Sequence, residues 1–197
     1  MNFPLFQRFT SLTDPTPYKI AYDKPDATTL VIDALMDHLR MRAPQQEIII
    51  VCIGTDRSTG DCLGPLVGTQ LAKHESSYYS ILGTLSQPVH AMNLQDTMSL
   101  LKTEHPNSFI IAVDACLGQS TSIGNIQVLT GPVRPGAGVN KQLPPVGDMH
   151  ITGIVNIGGF MEYFVLQNTR LHLVMEMATI IAHALHRSIT RLHTVTY

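Results

Sequence analysis

Two aspartates stand where apolar runs give way to small residues. Asp61 lies in Gly54-Thr55-Asp56-Arg57-Ser58-Thr59-Gly60-Asp61-Cys62-Leu63-Gly64-Pro65, and Asp114 in Phe109-Ile110-Ile111-Ala112-Val113-Asp114-Ala115. Two carboxylates brought close together cannot both ionise cheaply, so the pair can hold one proton between an acid and a base. A third group, His150, stands in Gly147-Asp148-Met149-His150-Ile151. Asp61, Asp114 and His150 together would supply the oxygen and nitrogen donors that take zinc or nickel. The residues therefore allow an aspartic dyad needing no cofactor, or a metal-assisted site. Plainer roles compete with both. Asp61 could cap a helix N-terminus, Asp114 could tie down a turn, and His150 could be a surface or capping histidine.

The elements that must position these groups follow from periodicity. Leu30, Val31, Ala34, Leu35 and Leu39 recur at helical spacing, and Pro44 ends that run, which predicts a helix over roughly 27–42. Glu47 to Ile53 is rich in β-branched residues, as in a strand buried on both faces. Leu63, Leu66, Val67, Leu71 and Ala72 mark a helix reaching His74, so Asp61 falls at or just before a helix start. Tyr78 to Leu85 predicts a strand, Leu94, Met98 and Leu101 a helix ending near His105-Pro106, and Phe109 to Val113 another strand. This alternation predicts a mainly parallel sheet with crossover helices. Ligands then bind in the crevice at the carboxyl ends of the strands, where both acids are expected.

Further strands are expected over Ile126–Thr130 and Ile151–Ile157, and an amphipathic helix over about 168–188. Residues 1–25, interrupted by Pro4, Pro15, Pro17 and Pro25, read as an arm packed on a single domain that spans 1–197. The loop from Gly131 to Lys141, dense in Gly and Pro, reads as either disordered or built to shape a site.

Composition excludes several functions. A chain of 197 residues with 44% hydrophobic content is long enough to bury a substantial core. The net charge of −2, with no run of basic residues, lacks the footprint of a nucleic-acid binder. No apolar stretch approaches the roughly 20 residues that cross a bilayer, and the opening Met1 to Arg8 does not read as a signal peptide. The expected location is the cytoplasm. The three cysteines, Cys52, Cys62 and Cys116, fit reduced thiols there. The 54–60 turn lacks the Gly-Lys-Ser/Thr of a P-loop and the third glycine of a dinucleotide fingerprint, so it predicts no nucleotide site.

Three ordered segments, Gly60-Asp61-Cys62-Leu63-Gly64-Pro65, Ala112-Val113-Asp114-Ala115 and Pro135-Gly136-Ala137-Gly138-Val139-Asn140-Lys141, resemble those of the spore germination protease family. The closest likeness is to the small sporulation relatives of that protease, the YyaC family. The resemblance implies a phosphorylase/hydrolase-like three-layer α/β/α fold and an unusual aspartic peptidase site in a sporulating cell or spore. It carries the catalytic acids onto Asp61 and Asp114, and substrate binding onto Gly136, Gly138, Asn140 and Lys141. Hydrogenase maturation peptidases look like more distant relatives, and in that comparison His150 takes the third metal-binding position. The expectation is an endopeptidase acting on a protein or peptide, with no direct nucleic-acid or membrane partner; a homo-oligomer is left open. The rival readings are a metal-binding maturation-type peptidase and a non-catalytic peptide-binding relative.

Overall fold

In the computed structural model, which describes residues 18–136 and 143–194, the alternation of strand and helix periods is realised along the chain. Tyr18–Ala21 forms β1, Ala27–Leu39 α1, Ile48–Cys52 β2, Leu63–Leu71 α2 and Ser80–Leu82 β3. Leu94–Glu104 forms α3, Phe109–Gly118 β4, Asn125–Thr130 β5, Met149–Ile157 β6, Glu162–Gln167 α4 and Leu171–Thr194 α5. The six strands make one sheet in the order β1-β5-β6-β4-β2-β3. β3, β2, β4 and β6 run parallel, while β5 is antiparallel to both β6 and β1. The fold is thus α/β with a mixed sheet whose parallel part carries the acids.

Side-chain alternation along β2 divides the core into two layers. Ile48, Ile50 and Cys52 join the cluster beneath α1, α2 and α5, whereas Ile49, Val51 and Ile53 pack with Leu94, Met98 and Leu101 of α3. Because helices cover both faces, all five residues of β2 are buried. Each such Ile or Val contributes on the order of 1.5–3 kcal/mol by leaving water. α5 presents Val174, Met177, Ala178, Ile181, Leu185 and Ile189 as one buried stripe, and it crosses α1 and α2. No described helix is long and apolar enough to cross a membrane.

Three differences from the sequence reading bear on function. β4 does not stop at Val113. Its pairing with β2 ends at Cys52–Val113, but β6 accompanies it through Asp114–Thr152 and, beyond an irregularity after Cys116, to Gly118–Ile157. Asp114 is therefore inside a strand, at the step where β2 has left the sheet and β6 continues. The N-terminal segment is also more than an arm, since Tyr18–Ala21 pairs with β5 and buries Ile20 against Ile126; residues 1–17 lie outside the described chain. Finally, the short helix α4 and the continuation of α5 to Thr194 were not anticipated.

Candidate active site

Where β2 ends, the chain turns back on itself so tightly that only glycine fits. Gly54 has φ +140°, and a Cβ there would overlap the Asp61 carbonyl oxygen; a Cβ at Gly64 would overlap that of Ile53. The Thr55 amide donates to the Asp61 carbonyl at 3.2 Å, and the Gly54 amide to Val89 at 2.8 Å. These contacts close the 54–61 loop over the end of the sheet and present Asp61 there. The loop glycines thus serve close backbone packing. α2 begins with Cys62 at its N-cap and has no side-chain capping bond, so Asp61 does not serve as the helix cap.

Asp114 comes from the neighbouring strand. It is 7% exposed, and its Oδ1 accepts the Ala115 amide at 2.9 Å. Both acids line one cavity of about 180 Å³. Arg57 and Ser58 enter it from the β2 exit loop, His90 from the segment before α3, Gly136 from the Gly/Pro loop, and Tyr163 and Leu166 from α4. Asn156 of β6 holds α4 down by donating to the Val165 carbonyl and the Thr169 hydroxyl, each at 3.2 Å.

The two acids are electrostatically unequal. Burial pushes the Asp114 carboxyl well above the usual carboxylate range, and the charge of Asp61 pushes it further; the Ala115 amide only partly opposes this. Asp61 is also raised by burial, but a backbone hydrogen bond from Thr55 and the nearby His90 favour its charged form. The pair titrates as a unit, with Asp114 pushed the more strongly toward its protonated form. The thiols are unsuited to nucleophilic work, because burial pushes Cys62 and Cys116 up to about 11 each.

His90 and Ser58 were not singled out from the sequence. Val89 bridges to Ile53 beside the end of β2, which sets His90 at the cavity wall. Asn93 fixes its backbone, accepting the His90 amide at 2.8 Å while donating to the Pro88 carbonyl at 3.0 Å. The ring Nδ1 accepts the Met92 amide at 3.3 Å, so a neutral ring carries its proton on Nε2. Ser58 is 8% exposed, and its hydroxyl has no partner among the described residues. A buried hydroxyl is ordinarily satisfied, so a polar atom of a ligand in this cavity would complete it. Neither residue had a usable sequence signal. His90 belongs to no periodic run, and Ser58 sits in a turn whose composition merely reads as solvated.

Of the expected substrate-binding residues, Gly136 lines the cavity, whereas Gly138, Asn140 and Lys141 lie outside the described residues. His150 is not brought to this cavity. It pairs with Ala112, two residues short of Asp114 along the sheet, or roughly 7 Å at strand rise. Its Nδ1 lies 2.7 Å from the Gly131 carbonyl oxygen. Among the described residues no three His, Cys, Asp or Glu side chains are grouped to hold a metal ion, so the placed residues do not fit the zinc or nickel site expected from Asp61, Asp114 and His150.

A family model described as a protein of unknown function, DUF1256, matches residues 19–184. The chain belongs to that family. The YyaC protein of Bacillus subtilis (strain 168), described as uncharacterized, is 54% identical over 154 residues, which cover 78% of this chain and 75% of that one. Among solved structures, the NiFe hydrogenase maturation protease HycI from Thermococcus kodakarensis matches with a TM-score of 0.53 at 18% identity, over 79% of this chain and 98% of the other. At that identity the likeness establishes the fold: the chain has the α/β architecture of a maturation protease.

Proposed function

We propose that the protein is an endopeptidase of the germination protease type, with Asp61 as general base and Asp114 as general acid. The observation that carries this reading is that two carboxyls, one of them buried and pushed toward its protonated form, line one cavity. The ionised Asp61 removes a proton from water as the oxygen attacks the scissile carbonyl carbon, while the protonated Asp114 hydrogen-bonds the carbonyl oxygen. The C–N bond of the resulting tetrahedral intermediate then breaks, and the leaving nitrogen takes the proton held by Asp61. The unmatched Ser58 hydroxyl and the exposed Arg57, which line the cavity, would steady the oxyanion, and the sequence resemblance gives the same part to the glycine loop and Lys141. The sporulation setting and cytoplasmic location rest on the sequence resemblance, and the substrate is a protein or peptide made in that setting.

The test is incubation of the purified chain with a peptide mixture, followed by mass spectrometry of the products. Cleavage by the wild-type protein and none by Asp61→Asn or Asp114→Asn supports the reading; equal cleavage by either variant contradicts it. The proposed steps use the two acids and water, and none runs through a metal ion. Chelator treatment should leave cleavage unchanged. Loss of cleavage on chelation, with recovery on adding zinc or nickel, would replace the dyad by the metal-assisted reading.

A further inference from the structure

β3 is the outermost strand on its side of the sheet, and among the described strands it pairs only with β2. Its outer edge presents backbone amides and carbonyls of the kind that template another strand. A groove of about 480 Å³ runs beside it, with Ser80, Ile81 and Leu82 of β3 on one wall and Thr97, Leu100 and Leu101 of α3 on the other. Leu100 is 56% exposed there, an apolar side chain at the lip. His90 lines both this groove and the cavity holding Asp61 and Asp114.

We propose that this groove is the docking site for an extended stretch of polypeptide, which adds to the edge of β3 as a further strand and passes His90 to reach the acids. The inference rests on the peptidase reading and specifies its substrate as an unstructured segment with apolar side chains at alternate positions. The open edge of β3 decides between a chain and a compact ligand, because a row of backbone amides and carbonyls on the side away from β2 is matched by another main chain. The cavity of about 180 Å³ suits a residue or two, and the groove, which shares His90 with it, suits the residues that follow. In strand addition, main-chain hydrogen bonds supply affinity, and alternate side chains enter the wall. Leu82, Leu100 and Leu101 make that wall apolar.

The test uses a phage-displayed library of random decapeptides selected on the full-length Asp61→Asn protein, which binds without consuming its ligand. Amide hydrogen exchange is then followed with and without the tightest peptide. The expected result is slowed exchange at Ser80–Leu82, a Kd at least tenfold weaker for Leu100→Arg, and an unchanged Kd for Phe164→Ser on the exposed face of α4. Failure to retain any peptide, or unchanged exchange at Ser80–Leu82, overturns the proposal. Incubating the selected peptides with wild-type protein separates the two readings. Peptides that protect β3 but remain uncleaved keep the docking site and reject the peptidase; peptides that are cleaved without protecting β3 reject the docking site alone.

Discussion

Asp61 and Asp114 reach one cavity from opposite kinds of backbone. Asp61 rides on a loop held by contacts of backbone on backbone, with a neighbouring amide and an imidazole to favour its charge. Asp114 is embedded in a strand flanked by β6, where it is 7% exposed and, among the described residues, has the Ala115 amide to support ionisation. A strand fixes the direction of its side chain, so Asp114 cannot turn toward water to escape its neighbour. The difference teaches how one fold can favour two roles for the same chemical group: the strand acid is pushed the harder toward its protonated form, and on the proposed reading the loop acid is the one that ionises.

The largest expected effect follows from removing either role. Asp61→Asn and Asp114→Asn should each lower kcat about 10²–10⁴-fold, the usual contribution of general acid–base catalysis. The pH profile sharpens the assignment. In wild-type protein the acidic limb of kcat/KM reports protonation of Asp61 and the alkaline limb ionisation of Asp114. Residual activity in Asp114→Asn should therefore lack the alkaline limb and keep the acidic one. The opposite pattern would exchange the roles.

Next in size is the loop that carries Asp61. Gly54→Ala should cost about 2–4 kcal/mol in urea denaturation, because it combines an unfavourable φ with overlap of the Asp61 carbonyl. A loss under about 0.5 kcal/mol would show that the loop relaxes and does not lock the acid. Smaller again is Asn93→Ala, which removes both bonds that hold the segment leading to His90 and should cost about 1–2 kcal/mol. Its kcat should fall less than that of His90→Ala. An Asn93→Ala variant slower than His90→Ala would assign Asn93 a more direct part.

The smallest effect is on stability against pH, and its sign is opposite to that of an ordinary salt-bridged acid. Asp114 binds its proton more tightly in the folded chain than in the unfolded one. Its contribution is therefore fully present below the ordinary carboxylate pKa and is lost as pH rises through the raised one. Asp114→Asn should flatten that decline and be the more stable protein on the alkaline side. A decline of equal slope in Asp114→Asn would place its source elsewhere.

Much of this arrangement was legible in the sequence, since β2, α2 and the first half of β4 announce themselves through buried β-branched runs and helical spacing. The joint position of Asp61 and Asp114 followed from those runs alone. What was hidden depended on partners distant in the chain. β4 continues past Val113 only because β6 lies beside it. Tyr18–Ala21 becomes a strand only because β5 offers an edge. His90 reaches the cavity through a single bridge from Val89 to Ile53, which leaves no periodic trace. His150 illustrates the converse, a residue of the right type whose register places it two residues short of the acid.

The central claim, that Asp114 keeps a proton because it is buried and Asp61 shares its cavity, is tested most directly by titrating the aspartate carboxyl carbons by NMR in protein carrying carbon-13 aspartate. The resonance lost in Asp114→Asn should titrate well above the ordinary value of about 3.9, and it should move down in Asp61→Asn, where the neighbouring charge is gone. An Asp114 resonance that titrates at the ordinary value, or that is indifferent to Asp61→Asn, would contradict the account.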